Sequence, residues 1–80
     1  MDRSKLHSVI ALDMVEFEFN GTPHKSPPQT TVAGLLESLG IEYRFCAVEV
    51  NEEILPKAQY SIYEVKPGDR IEVVTLVGGG

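Results

Sequence analysis

The 80-residue sequence predicts an α+β domain in which one main helix packs on one face of a sheet of four or five strands. Three observations lead to this prediction. Short segments in which apolar and polar residues alternate, as in half-buried strands, occur along most of the chain. A single segment, in the first half, has the apolar spacing of a helix. Pairs of turn-forming residues, rich in glycine, proline and asparagine, separate these segments.

The first two strands are predicted as a hairpin. In VEFEF, residues 15–19, three apolar residues alternate with two glutamates, so one face of this strand is expected to be buried. The Asn20-Gly21 pair that follows favours a type I′ turn between antiparallel strands. Residues 22–25 are the expected return strand. Pro23 places this strand at the edge of the sheet, because proline cannot donate a ladder hydrogen bond.

The helix is predicted in TTVAGLLESLG, residues 30–40. Thr30 or Thr31 can cap its N-terminus, and Gly40 suits the position at which a helix ends. Apolar residues spaced i, i+3, i+4 and i+7 form a stripe that is expected to face the sheet. These are Val32, Leu35, Leu36 and Leu39.

The second half of the chain supplies the remaining strands. RFCAVEVN, residues 44–51, alternates, and after a turn at Asn51 and Glu52 a short partner strand is expected at residues 54–55. Residues 60–65 alternate again. The KPGD sequence, residues 66–69, has the proline and glycine of a type II turn and leads into the final strand, RIEVVTLV, at residues 70–77.

Composition and charge exclude several functional classes. The net charge of −5 at pH 7 argues against binding to a nucleic acid backbone and favours a partner with a basic surface. No apolar run approaches the roughly 20 residues that cross a membrane. The single cysteine, Cys46, cannot form an internal disulfide, which indicates a reducing, cytoplasmic location.

No internal residue has the pattern of a catalytic or metal-binding group. Cys46 is expected to be a small buried apolar residue, because no second cysteine accompanies it. His7 and His24 lack the spacing of metal ligands, so no metal site is predicted. The remaining unusual feature of the sequence is therefore its C-terminal glycine run.

The sequence divides into three regions. Residues 1–13 precede the first clear alternation and are expected to be either a flexible extension or an extra strand or helix, with Met14 as a possible natural start. Residues 14–77 form the predicted domain, and residues 78–80 are a flexible glycine tail.

Gly78, Gly79 and Gly80 directly follow an apolar run. Three extended residues reach about 10 Å and, without side chains, can enter a narrow channel in a partner. A terminal carboxylate is ionised at neutral pH and is a poor electrophile, so AMP from ATP would have to activate it before sulfur could attack. The chain is then either a carrier whose end is activated by another protein, or a domain with an unused glycine tail.

A docking surface is predicted beside this tail. If Ile71 and Val73 face the core, together with Thr75, the outward side chains of the last strand include Val74 and Leu76. These two would lie on the face that the helix does not cover. They form either a small apolar patch that binds a partner or ordinary scattered surface residues.

Four segments resemble a known family. They are VEFEFNGTP, TVAGLLESLG, AVEVNEEILPKAQY and KPGDRIEVVTLVGGG. From about residue 14 to residue 80, the chain resembles the ThiS family, the bacterial sulfur carriers of thiamine biosynthesis, which have the ubiquitin-like β-grasp fold. The resemblance implies that the final strand lies mid-sheet, parallel to the first.

The resemblance also implies a function. The chain would be a protein co-substrate rather than an enzyme, with no bound cofactor and monomeric when free. A ThiF-type enzyme would adenylate Gly80 with ATP and Mg²⁺, and a sulfur donor protein would supply sulfur for the thiocarboxylate. A ThiG-type thiazole synthase would then receive the sulfur. Gly79 and Gly80 match the functional glycines of the family, and Val74 and Leu76 match outward positions that partners tend to use.

Two departures and two alternatives accompany the resemblance. Glu52 stands where family members often have glycine, and Gly78 lengthens the tail. A MoaD-like small subunit of molybdopterin synthase would share the fold and the thiocarboxylate chemistry, but it is typically longer in the middle. A β-grasp interaction module without covalent chemistry is the second alternative.

Overall fold

The computed structural model describes residues 13–75 of the chain. The predictions made for the N-terminal extension, for Leu76 and for the glycine tail therefore lie outside the described residues, except at Asp13. The described elements, in chain order, are β1 (Val15–Phe19), β2 (Thr22–Ser26), α1 (Val32–Ser38), β3 (Cys46–Val50), β4 (Glu53–Leu55) and β5 (Arg70–Thr75). Two short 3₁₀ turns, Tyr43–Phe45 and Lys57–Gln59, lie beside β3 and after β4.

The strands form one mixed five-stranded sheet in the order β2-β1-β5-β3-β4. β5 runs parallel to β1 and antiparallel to β3, while β1 with β2 and β3 with β4 are antiparallel hairpins. The last strand thus lies at the centre of the sheet between the two hairpins, and β2 lies at an edge. Both predictions are confirmed.

Both hairpins have turns with positive φ. Asn20 and Gly21 have φ values of 50° and 80°, which confirms the predicted type I′ geometry. Asn51 and Glu52 in the second hairpin have φ values of 53° and 71°. The left-handed conformation costs a residue with a Cβ atom about 1 kcal/mol, so glutamate at this position is accommodated at some cost to stability.

The helix ends where the sequence predicts. Thr31 Oγ1 accepts a hydrogen bond from the Gly34 amide at 3.1 Å and caps the N-terminus. Gly40 has a φ of 72°, as a terminating glycine requires. The predicted apolar stripe is wrong at Leu39, whose side chain is 38% exposed. Leu39 is the C-cap residue, and its backbone has already left the helical conformation.

The segment at residues 60–65 is not a strand and forms one isolated bridge. Its carbonyl groups serve the first turn of the helix instead. The Val32 amide donates to the Tyr63 carbonyl oxygen at 3.0 Å, and the Ala33 amide donates to the Tyr60 carbonyl oxygen at 2.7 Å. These amides have no partner within the helix, so the segment satisfies them.

The core lies between the helix and one face of the sheet. Phe17 is buried and Val15 and Phe19 pack against the core, as predicted for the first strand. On β5, Ile71 is buried and Val73 is half-buried, whereas Thr75, predicted to face inward, is exposed at the end of the described strand. The buried apolar side chains are Phe17, Val32, Ala33, Leu35, Leu36, Cys46, Val48, Val50, Tyr60, Val65 and Ile71.

Candidate functional site

The described chain ends at Thr75 on β5, five residues before Gly80. Gly78, Gly79, Gly80 and Leu76 lie beyond this point. Among the predicted site residues, Val74 alone falls within the described chain. Its side chain is 58% exposed on the face of the sheet that the helix leaves open, and it lies opposite Ala47 of β3.

The open face around Val74 combines apolar and acidic side chains. Ile54 on β4 is 75% exposed and lies opposite Glu49, and Glu49 also lies opposite Glu72. Like charges directly opposite each other on antiparallel strands are destabilising. The face therefore presents an electrostatic environment that a cationic group on a partner would improve.

The two ion pairs in the described residues leave this pair of glutamates without a cation. One joins Arg44 to Glu42 at 3.6 Å, and the other joins Arg70 to Glu52 at 3.5 Å. All four side chains are mostly exposed, so each ion pair contributes little stability. Arg70 thus turns toward the second hairpin turn.

Asn20 connects the first hairpin turn to the outgoing end of β5. Its Oδ1 atom accepts a hydrogen bond from the Val73 amide at 2.8 Å, and its Nδ2 atom donates to the Val73 carbonyl oxygen at 3.4 Å. The Asn20 main-chain amide donates to the Ile71 oxygen at 2.8 Å. The asparagine side chain therefore extends the pairing of β1 with β5 beyond the last residue of β1.

A second asparagine holds the start of β5. Asn51 Oδ1 accepts from the Arg70 amide at 2.9 Å, and Asn51 Nδ2 donates to Asp69 Oδ1 at 2.9 Å. The other carboxylate oxygen of Asp69 accepts from the Tyr63 hydroxyl at 2.8 Å and from the Lys66 amide at 2.9 Å. Asp69 is buried. The network joins the second hairpin turn, the segment of Tyr63, the turn that begins at Lys66 and the start of β5.

The network perturbs the ionisation of Tyr63. Burial, the hydrogen bond to Asp69 and the negative charge of Asp69, in that order, raise the pKa of Tyr63 to about 12. Only the neutral hydroxyl can donate to the carboxylate, so the folded protein favours the protonated form of Tyr63.

Cys46 and His24 lie among apolar and aromatic side chains. Cys46 is 1% exposed, and burial raises the pKa of its thiol although Lys57 partly opposes this. His24 lies beside the rings of Phe17 and Phe19, with centroid distances of 5.3 and 5.9 Å. Within residues 13–75, no three or more histidine, cysteine or acidic side chains are grouped as metal ligands. The helix in the same range is too short and too polar to cross a membrane.

Comparison with known protein families shows which family this chain belongs to. The model of the ThiS family matches residues 15–80, which include the five strands, the helix and the glycine tail of the sequence. The chain belongs to the ThiS family. The resemblance stated from the sequence is thereby confirmed, and residues 1–13 lie outside the match.

Individual relatives agree with the ThiS assignment. The chain is 39% identical to the sulfur carrier protein ThiS of Bacillus subtilis over 64 residues, which cover 79% of this chain and 97% of that protein. The crystal structure of the thiamine biosynthesis protein ThiS from Geobacter metallireducens superposes with a TM-score of 0.69 at 29% identity, covering 82% of this chain and all of that one. This match confirms the ubiquitin-like β-grasp fold.

Longer relatives also match this ThiS-family chain. It is 43% identical to a thiazole synthase of Paramagnetospirillum magneticum over 61 residues and 36% identical to one of Magnetococcus marinus over 66 residues. The chain spans about a fifth of the length of these two relatives, at 19% and 20%.

Sequence reasoning identified the exposed position of Val74 but missed the residues that organise β5. Asn20 and Asn51 were recognised only as turn residues, and Asp69 only as the end of a turn. The sequence did contain an indication of this role, since both asparagines come directly after an alternating apolar segment. Their partners on β5 become evident only from the register of the sheet.

Proposed function

We propose that this chain is a sulfur carrier of thiamine biosynthesis whose reactive group is the carboxyl group of Gly80. The observation that carries the proposal is the family match, which covers residues 15–80 and so includes the glycine tail and Gly80. The Bacillus subtilis relative, which bears the name of a sulfur carrier, supports it. In this role the chain supplies no catalytic group and no cofactor of its own, so activation depends on a partner enzyme.

The chemistry begins with adenylation. A Gly80 carboxylate oxygen attacks the α-phosphorus of ATP, which an activating enzyme of the ThiF type holds with Mg²⁺, and pyrophosphate leaves. The product is an acyl-adenylate with AMP as a good leaving group. A sulfur nucleophile delivered by a sulfur donor protein then attacks the Gly80 carbonyl carbon, and AMP leaves. If the donor carries this sulfur as a persulfide, the product is an acyl disulfide that joins Gly80 to the donor. A thiol reductant then supplies two electrons and cleaves the S–S bond. This step yields the Gly80 thiocarboxylate, the donor thiol and the oxidised disulfide of the reductant.

Glycine residues suit both steps. Gly78 and Gly79 carry no side chain, so they allow the tail to enter a narrow channel, and Gly80 has no Cβ atom to obstruct attack on its carbonyl carbon. Ordering such a tail costs conformational entropy, which contacts made elsewhere on the carrier must offset.

We propose that the open face of the sheet provides those contacts. Val74 is exposed there, and Leu76 is expected on the same side of the strand. The neighbouring Glu49 and Glu72 carboxylates would favour a partner that places an arginine or lysine beside its apolar contact. The net charge of −5 favours the same basic surface through electrostatic steering.

The acceptor of the sulfur is proposed to be a thiazole synthase of the ThiG type. Two relatives are named thiazole synthases, and this chain matches about a fifth of each. A segment similar to this chain within a protein named thiazole synthase fits a carrier and an acceptor that act together. We further propose that the chain acts in the cytoplasm and is monomeric when free. The family match favours this role over that of a MoaD-like subunit of molybdopterin synthase.

Exchange of radiolabelled pyrophosphate into ATP tests the adenylation step. With a ThiF-type enzyme and Mg²⁺, the full chain is expected to support exchange, and a chain lacking Gly80 is expected to support none. The truncated chain should keep its melting temperature. A β-grasp module without covalent chemistry would give no exchange in either case, and equal exchange with both chains would show that Gly80 is not the reactive residue.

A further inference from the structure

We infer that Asn20 is a positioning residue for the reactive end of the carrier, because its side-chain amide holds the Val73 peptide and so fixes where the chain leading to Gly80 leaves the β1 side of the sheet. This inference rests on the proposed function, since it concerns the delivery of Gly80 to an activating enzyme. Asn20 and Val73 are 53 residues apart in the sequence.

The hydrogen bonds show how Asn20 extends β1. Main-chain pairing of β1 with β5 finishes with the Asn20 amide, which donates to the Ile71 oxygen at 2.8 Å. The Asn20 side chain then both accepts from the Val73 amide, at 2.8 Å, and donates to the Val73 carbonyl oxygen, at 3.4 Å. A carboxamide presents the same donor and acceptor as a peptide group, so it acts as one additional strand residue. These two side-chain hydrogen bonds form the Asn20 clamp.

The turn alone does not require this side chain. Asn20 and Gly21 both have positive φ, and a type I′ turn accepts glycine at either position. A glycine at position 20 would satisfy the backbone conformation without strain. The carboxamide therefore has a role that is separable from the turn, and Asn20→Gly removes this role selectively.

The Asn20 clamp acts close to the reactive end of the chain. Seven residues separate Val73 from the C-terminus, the last of them Gly80. Seven extended residues span at most about 25 Å, so the point of departure determines which positions Gly80 can reach. On the other side of β5, Val74 and Thr75 remain paired with β3. Loss of the Asn20 clamp is therefore expected to loosen the strand end rather than release it.

The second hairpin supplies a matched control. Asn51 occupies the same place in its turn and holds the Arg70 amide at 2.9 Å, but this is the opposite end of β5. Asn51 also donates to Asp69. Asn51→Gly therefore also removes two side-chain hydrogen bonds, one of them to the buried Asp69 carboxylate, while leaving the tail end of β5 intact.

The experiment compares the full-length wild type with Asn20→Gly, Asn20→Asp and Asn51→Gly. It measures KM and kcat of a ThiF-type enzyme for each carrier by pyrophosphate exchange, together with thermal stability and hydrogen exchange at the Val73 amide. Asn20→Gly is expected to raise KM about threefold, the effect of the shorter, exposed hydrogen bond of the clamp at 2.8 Å, with kcat within about 1.5-fold. The Val73 amide should exchange faster in this variant.

The other two variants separate positioning from stability. Asn51→Gly is expected to lower the melting temperature more than Asn20→Gly while leaving KM unchanged. Asn20→Asp keeps the acceptor for the Val73 amide, so its KM should rise by no more than half as much as that of Asn20→Gly. Unchanged KM in Asn20→Gly, no recovery in Asn20→Asp, or an equal rise in Asn51→Gly would each overturn the inference. If the wild type supports no exchange, the proposed function fails, whereas hydrogen exchange at Val73 still decides whether Asn20 holds the strand.

Discussion

Replacing Asp69 with alanine removes the acceptor of three hydrogen bonds at the base of the central strand. Their donors are Asn51 Nδ2 at 2.9 Å, the Tyr63 hydroxyl at 2.8 Å and the Lys66 amide at 2.9 Å. A hydrogen bond to a charged group contributes about 1.5–3 kcal/mol when buried. Because these donors are near the surface and water can reach them after the change, we expect about 1 kcal/mol for each, or about 3 kcal/mol in total.

This loss is large for a chain of 80 residues. A domain of this size has a free energy of unfolding of roughly 4–12 kcal/mol, so Asp69→Ala is expected to leave the protein folded but close to its limit. Asp69→Asn keeps one carbonyl oxygen as an acceptor, and it should lose about half as much. The Lys66 amide and the Asn51 amino group can donate only, so they cannot adapt to an amide nitrogen in its place.

Urea denaturation followed by circular dichroism measures this difference. Glu72→Ala is the matched control, because it removes an exposed carboxylate from the same strand and relieves its repulsion with Glu49. The control is expected to change the free energy of unfolding by less than about 0.5 kcal/mol. A loss below about 1 kcal/mol in Asp69→Ala, or one equal to that of Glu72→Ala, would refute the assignment of the network as a stabilising unit.

Three further predictions address the core, the ionisation of the network and the docking surface. Phe17→Ala should cost about 3–5 kcal/mol, because Phe17 is buried; a melting temperature equal to that of the wild type would contradict its place in the core. The pKa of Tyr63 is about 12 when folded and ordinarily 10, so its contribution to stability is complete below pH 10 and is lost as the pH rises through 12. Tyr63→Phe should therefore lose stability less steeply in urea titrations between about pH 10 and 12, and an equal slope would count against the network. Val74→Asp should weaken binding to a ThiF-type enzyme at least tenfold in calorimetry while the fold persists, since Val74 is exposed; unchanged affinity would remove this residue from the docking surface.

Local patterns predicted most of the fold. The alternation at residues 15–19, the Asn20-Gly21 turn and the glycine at position 40 each act through their immediate neighbours, and the structure confirms all of them. The central position of the last strand, parallel to the first, was available through the resemblance to the ThiS family, and the sheet agrees with it.

The errors arose where a tertiary contact or the end of the helix overrides the apolar spacing. Residues 60–65 alternate as a strand does, but their carbonyl groups bind the first amides of the helix, and Tyr60 and Val65 are buried in the core without a partner strand. Leu39 continues the helical spacing, yet the helix has ended before it. The sequence of residues 60–65 does not contain the helix amides that bind these carbonyl groups, whereas the exposure of Leu39 follows from the helix end at Gly40.

The candidate site was predictable only in part. The exposure of Val74 follows from strand alternation, because neighbouring residues of a strand face opposite sides of the sheet. The role of Asn20 does not, because its partner lies 53 residues away and depends on the parallel register of β1 and β5. The same applies to Asp69, which Asn51 reaches across 18 residues.

The intact mass of the carrier after a complete reaction tests the central claim most directly. The full chain is incubated with a ThiF-type enzyme, Mg²⁺, ATP, a sulfur donor and a thiol reductant. Its mass is measured after the small molecules have been removed. Replacement of one carboxylate oxygen by sulfur should add about 16 Da, and fragmentation should locate the added mass at Gly80. An unchanged mass despite active enzyme and donor, or added mass at Cys46 instead, would contradict the account.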